Sequence, residues 1–100
     1  MEPNNLTALL NMAVVNYKIK KYNRSISILE RLLVIHPNHK NILTHRLLLA
    51  RSYVMRGDLG EGMKNLERVI KLNPNSKKII TTDPAFDKLK NIEGFQSIIN

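Results

Sequence analysis

The sequence contains two Pro-Asn pairs, Pro37-Asn38 and Pro74-Asn75, which lie 37 residues apart. Each pair follows two segments whose apolar residues recur at helical spacing, and proline cannot continue a helix. The four predicted helices span 6–20, 22–35, 42–56 and 59–72. Because both breaks stand at the same point of the pattern, the sequence predicts two copies of a helical hairpin.

Aligning the two copies on their prolines pairs similar residues along the second helix of each hairpin. Leu29 aligns with Leu66, and Glu30-Arg31 aligns with Glu67-Arg68. The first helices agree less closely, although Ala13 aligns with Ala50. The agreement over the second helices supports an internal repeat of two helices.

The second copy carries further signals: Leu49-Ala50 in its first helix, Tyr53 near the end of that helix, and Gly62 in its second helix. Together with the terminal proline, these residues resemble the tetratricopeptide repeat (TPR), a helix–turn–helix unit of about 34 residues. In that family, Gly62 would stand at the small position where the two helices touch. Arg46 departs from the pattern, since the family has tryptophan there.

In the register of this resemblance, residues 6–39 form repeat one and residues 43–76 form repeat two. The resemblance implies an all-α fold, a right-handed solenoid of two helical hairpins within a single domain of residues 1–100. A solenoid unit buries its apolar faces only against its neighbours, so each end of the array needs a cover.

Residues 77–100 depart from the repeat pattern and have the composition of a cover. Asp83-Pro84 reads as a helix N-cap followed by proline at the first helical position, and Phe86, Leu89 and Phe95 follow at apolar positions. The segment resembles the one that closes many bacterial TPR arrays. We therefore expect a short C-terminal helical cap with Phe86 and Phe95 in the core.

Composition excludes several classes of protein. Hydrophobic residues make up 43% of the chain and charged residues 24%, as in an ordinary globular domain. The absence of cysteine excludes thiolate chemistry and disulfides. The first residues carry no base, and no apolar stretch reaches the roughly 20 residues that a membrane-spanning helix needs, so we expect a cytoplasmic chain.

The first helix is apolar around too much of its circumference for one partner helix to cover. Its apolar side chains occupy an arc of roughly 260° at 100° per residue. The resemblance assigns the concave inner face of the solenoid to ten positions, which here are Thr7, Leu10, Val14, Tyr17, Lys18, Thr44, Leu47, Arg51, Val54 and Met55. We expect this face to bind a peptide or helix of another protein, with a partner carboxylate at Arg51. The alternative is that the C-terminal segment folds back and fills the groove with Ile79, Ile80 or Phe86.

The N-terminal end of the array raises a separate alternative. The first helix begins almost at once and has an apolar face with no earlier repeat before it in this sequence. That face would be covered by a second copy in a homodimer, or the chain would be the structural end segment of a longer array, which we favour slightly.

A basic surface is a further alternative. The net charge is +8, and residues 1–57 carry nine bases against two acids. Lys18, Lys20, Lys21 and Arg24 span the first interhelical turn and could contact nucleic acid phosphates. The chain has only five aromatic residues and no evident stacking platform, so the sequence disfavours nucleic acid binding.

The sequence gives no indication of catalysis or of a cofactor. It has no glycine-rich phosphate loop and no recognisable arrangement of serine, histidine and acid. His36, His39 and His45 are close in sequence, but no acid lies near them, and we expect surface turn residues rather than metal ligands. We expect a non-catalytic protein.

Overall fold

A computed structural model describes residues 5–100, and every regular element in that range is helical. The elements are α1 (Leu6–Lys18), α2 (Tyr22–Ile35), α3 (Ile42–Arg56), α4 (Leu59–Leu72), α5 (Ser76–Thr82), a 3-10 helix (Pro84–Leu89) and α6 (Glu93–Ile99). The bounds predicted for α2, α3 and α4 are confirmed. The first helix ends two residues earlier than predicted, because Lys20 adopts the left-handed conformation with φ 65°.

Local chemistry explains where the helices begin and end. Asn5 caps α1, its side-chain Oδ1 accepting a hydrogen bond from the Ala8 amide at 3.0 Å. Gly57 ends α3 in the left-handed region, with φ 105°, and its amide donates to the carbonyls of Tyr53 and Val54. The Asp83 side chain caps the 3-10 helix by accepting from the Ala85 amide at 2.9 Å, as the sequence predicts.

The helices pair as two antiparallel hairpins, α1 with α2 and α3 with α4, and α2 packs against α3 to stack the hairpins. Gly62 lies at the crossing of α3 and α4, where a Cβ would fall under 3.0 Å from Val54 Cγ2. The prediction that Gly62 occupies the small position between the two helices is confirmed. The all-α architecture of two helical hairpins is confirmed as well.

Polar contacts join α2 to α3 between the two repeats. The buried hydroxyls of Ser25 and Ser52 share a hydrogen bond at 3.1 Å, and Ser25 Oγ also lies within hydrogen-bonding distance of the Ala13 carbonyl. The Tyr53 hydroxyl donates to Glu30 Oε1 at 2.8 Å. Burial, followed by this bond to Glu30, raises the pKa of Tyr53 to about 12. These contacts set the register of one hairpin on the other.

The apolar interior forms two clusters, one centred on repeat one and one centred on repeat two. The first is built from α1, α2 and the side of α3 that carries Leu48 and Leu49. The second joins α3 and α4 to the C-terminal segment, and Phe86, Leu89 and Phe95 all lie in it. Phe86 and Phe95 are thus core residues, as predicted. Within residues 5–100, no helix has both the length and the apolar character to span a bilayer.

Candidate peptide-binding groove

The inner face of the solenoid is formed by α1 and α3. On α1, Thr7 and Lys18 are exposed, while Leu10, Val14 and Tyr17 are half-buried against the cluster of repeat one. Apolar side-chain surface therefore remains open to solvent along the inner side of α1. This part of the predicted groove is available to a partner.

The corresponding part of α3 is covered by the chain itself. Leu47 and Val54 are buried in the same cluster as Phe86 and Leu89 of the 3-10 helix. Their assignment to an open groove is therefore wrong. The physical reason is that α3 is packed on two sides: Val54 meets Gly62 of α4 at the helix crossing, and the 3-10 helix packs on α3 from the C-terminal segment, where a third repeat would otherwise be needed as a cover.

The alternative of a folded-back C-terminal segment holds for repeat two and not for repeat one. Ile80 and Phe86 are fully buried, whereas Ile79 is 51% exposed. The 3-10 helix packs against α3, and α5 and α6 pack against α4. The groove is thereby shortened to its α1 side and to the exposed residues of α3.

Arg51 lies at the border between the covered and the open part. Its Nε donates to Asp83 Oδ2 at 2.6 Å, and both side chains are partly buried. The chain thus supplies a carboxylate of its own at the position where the sequence predicts one from a partner. Asp83 Oδ1 is used at the same time to cap the 3-10 helix, which fixes the carboxylate in place.

A cleft of about 500 Å³ remains beside this ion pair. It is lined by Tyr17 from α1, Arg51 and Met55 from α3, and Asp83, Pro84 and Ala85 from the C-terminal segment. Among the described residues, the terminal Nη groups of Arg51 make no hydrogen bond, so the guanidinium keeps donors for a further acceptor. Burial raises the pKa of Tyr17, and Arg51 partly offsets that rise, so the phenol stays a neutral hydrogen-bonding group at neutral pH.

The structure therefore brings Tyr17, Arg51 and Met55 of the predicted set to one cleft. Thr7, Leu10 and Val14 continue along α1, Lys18 is exposed one residue beyond Tyr17, and Thr44 is exposed at the other end of α3. Sequence analysis missed the wall formed by Asp83, Pro84 and Ala85. The negative charge of Asp83 was the signal that could have paired it with an inner-face arginine. The sequence analysis already explained Asp83 as a helix N-cap, so this pairing was not considered.

The basic turn between α1 and α2 forms a second, smaller cleft of about 270 Å³, lined by Lys20, Lys21, Tyr22, Asn23, Arg24 and Arg56. Arg56 is already engaged, because its guanidinium forms an ion pair with Asp58 and donates to Asn23 Oδ1 at 3.0 Å. Tyr22 is half-buried and packs edge-on against Tyr17. Neither observation adds a stacking platform for a nucleic acid base.

The histidines do not behave as a set of surface turn residues. His45 is fully buried in α3, and its Nδ1 lies 2.7 Å from His39 Nε2 in a shared hydrogen bond. Burial, followed by the charge of His39, lowers the pKa of His45 to about 4, so His45 is neutral at neutral pH. The expectation of a surface residue is wrong for His45, because the turn after α2 folds over the start of α3.

A family model of the tetratricopeptide repeat matches residues 7–39 and 46–76. These two stretches cover most of both hairpins, and the chain belongs to the tetratricopeptide repeat family. Comparison with curated proteins gives no match, and comparison with solved structures gives none. TPR repeats generally mediate protein–protein interactions, and the family is typically non-catalytic.

Proposed function

We propose that this protein is a non-catalytic adaptor that binds a peptide or helix of another protein along the inner side of α1 and in the cleft beside Arg51. The observation that carries the proposal is the continuity of the two surfaces. Half-buried apolar residues of α1 lead into a cleft that ends in Tyr17, Met55 and Arg51. Such a surface suits a segment with apolar anchors spaced along an extended chain or a helix.

Charge favours an acidic group on the partner. The chain carries +8, and the Nη groups of Arg51 make no hydrogen bond among the described residues. A partner carboxylate could use those donors while Asp83 keeps Nε, because a guanidinium offers five N–H groups in a fixed plane. Burial of apolar surface would supply most of the affinity, and the charged contact would orient the partner.

We place this function in the cytoplasm, as the sequence predicts.

The test starts from peptides selected from a random library on the intact chain. We expect the recovered peptides to combine apolar residues with an acidic residue, and to lose about tenfold or more in affinity on Met55→Glu and on Arg51→Ala. Val34→Glu is the matched control, since Val34 lies on α2, outside the cleft, and is 79% exposed. Peptides that bind all variants equally, or a library that yields no binder, would contradict the proposal.

A further inference from the structure

A cleft between the first half of α3 and the end of α4 is lined by three cations and one apolar side chain. Its volume is about 230 Å³, and its lining residues are Arg46 from α3 and Arg68, Lys71 and Leu72 from α4. It shares no residue with the cleft beside Arg51. We refer to the four lining residues as the basic cleft of repeat two.

Two of these three cations are absent from the equivalent positions of repeat one. A shift of 37 residues carries Arg46 onto Leu9 and Lys71 onto Val34. Leu9 is buried in the apolar cluster of repeat one. The fold therefore accepts a buried leucine at the position of Arg46, and packing of the hairpin does not require an arginine there.

Arg46 has a buried donor that no described part of the chain satisfies. Its Nε is buried without an acceptor, and within residues 5–100 its guanidinium makes no hydrogen bond or ion pair. A buried N–H without an acceptor destabilises the folded state, because it has lost its contact with water. Leucine, as in repeat one, would carry no such penalty. An unsatisfied buried group of this kind calls for a functional explanation, and a bound acceptor is one.

The charges of the basic cleft are only partly offset by the protein itself. Arg68, like Arg46, makes no ion pair in the described part of the chain, and Lys71 lies 3.9 Å from the exposed carboxylate of Glu67. The last turn of a helix favours cations, which accounts for Lys71 at the end of α4 but not for Arg46 on α3. Three cations in one cleft repel one another, so the cleft favours an anion that carries more than one negative charge.

We propose that the basic cleft of repeat two binds the phosphate of a phosphorylated serine or threonine in a segment of another protein. A phosphate monoester carries a charge of about −1.5 to −2 at neutral pH and offers three acceptor oxygens. Arginine binds two such oxygens at once through paired N–H groups, and Arg46 and Arg68 stand on different helices, so they reach the phosphate from two sides.

The side chains of the cleft are able to adjust to this ligand. No polar contact within residues 5–100 holds the Arg46 guanidinium in place, so it can turn to present Nε and one Nη to a pair of phosphate oxygens. Leu72 is 56% exposed and provides an apolar contact for a residue next to the phosphorylated one. The ligand is therefore a phosphorylated side chain with an apolar neighbour.

A nucleic acid backbone fits the same cleft less well. It carries one charge on each phosphate and binds along rows of cations, with aromatic side chains stacked on its bases. The basic cleft is a single pocket, and none of its four lining residues is aromatic. RNA binding is therefore an alternative outcome of the test and not the expected one.

Two peptide libraries, presented to the intact chain, test the proposal; one has phosphoserine at a fixed central position and the other has serine there. Fluorescence polarisation of a recovered phosphopeptide should show that affinity falls about tenfold or more when serine replaces phosphoserine. Arg46→Leu, which introduces the repeat-one residue, should weaken the phosphopeptide about tenfold or more, and urea unfolding should show no loss of stability. Arg24→Gln, which removes one charge from the basic turn between α1 and α2, is the matched control and should leave the affinity unchanged.

Two further variants separate the basic cleft from the core and from the peptide groove. Arg68 is exposed, so Arg68→Gln leaves the core intact, and it should weaken the phosphopeptide about tenfold or more as well. Arg51→Ala should have no effect on it. Equal binding of both peptides, equal losses for Arg46→Leu and Arg24→Gln, or a loss for Arg51→Ala would each overturn the proposal. Displacement of the phosphopeptide by inorganic phosphate or single-stranded RNA at equal concentration would overturn it too.

Discussion

The close approach of α3 and α4 at Gly62 gives the sharpest test of how this repeat is packed. A Cβ on Gly62 would lie under 3.0 Å from Val54 Cγ2 and 3.5 Å from the Ala50 carbonyl oxygen. Gly60, two residues earlier in α4, has no atom within 4 Å of its own Cβ position. The two glycines therefore differ in their surroundings while they share a helix.

Alanine at each position separates helix propensity from packing. Gly60→Ala should stabilise the protein by about 0.5–1 kcal/mol, because alanine loses less backbone entropy in a helix. Gly62→Ala gains the same term but forces Val54 to move, and Val54 is fully buried in the cluster that joins α3 and α4 to the C-terminal segment. Overpacking of this kind costs about 1–3 kcal/mol. We expect Gly62→Ala to be less stable than Gly60→Ala by about that amount.

Urea unfolding followed by circular dichroism gives the free energy of unfolding of both variants. In thermal unfolding, a difference of about 1 kcal/mol would change the Tm by about 4–8 °C in a domain of this size. Val54→Ala provides the check, since it removes the Cγ2 atom that a Cβ at residue 62 would meet. In the Val54→Ala background, Gly62→Ala should be no worse than Gly60→Ala. Equal stability of Gly62→Ala and Gly60→Ala in the natural background would refute the reasoning.

Four further predictions concern pH, the C-terminal cover, the ion pair and the basic turn. The pKa of His45 lies near 4 in the folded state and near 6.5 in the unfolded state, so the unfolded state binds more protons between these values. The free energy of unfolding therefore falls as the pH drops through that window, by at most about 3 kcal/mol. His45→Asn should flatten the plot of urea-unfolding free energy against pH over pH 4–7, and an unchanged slope would contradict this. Phe86→Ala should cost about 3–5 kcal/mol in the same assay, because Phe86 is fully buried, and a loss below about 1 kcal/mol would show that the cover is not docked. Asp83→Asn keeps a cap for the 3-10 helix but removes the negative charge beside Arg51. Titration calorimetry should therefore show that acidic peptides bind this variant more tightly. Unchanged or weaker binding would count against the proposal that a partner carboxylate binds at Arg51. The chain should be retained on heparin but released by modest salt and show no preference for RNA in competition, whereas salt-resistant, RNA-specific binding would favour the nucleic acid alternative.

Local sequence determined the bounds of most helices and the small residue at which two of them cross. The bounds of α2, α3 and α4 follow from helical periodicity together with Pro37, Gly57 and Pro74, since these signals act within a few residues of the chain. The position of Gly62 at the helix crossing was also predicted from the sequence, because each repeat places its small residue at the same contact between its two helices. The sequence also shows the arc of apolar residues around α1, but it does not show which part of that arc stays exposed to solvent.

Tertiary structure decided which apolar faces are covered and which charges meet. The family resemblance assigns Leu47 and Val54 to the inner face, yet both are buried in the cluster that joins α3 and α4 to the C-terminal segment. Arg51 meets Asp83, 32 residues further along the chain, and His45 is buried through a contact with His39 across a turn. Helical periodicity says which side of a helix is apolar, whereas the partner that covers that side is selected by competition among all the apolar surfaces that the folded chain brings within reach.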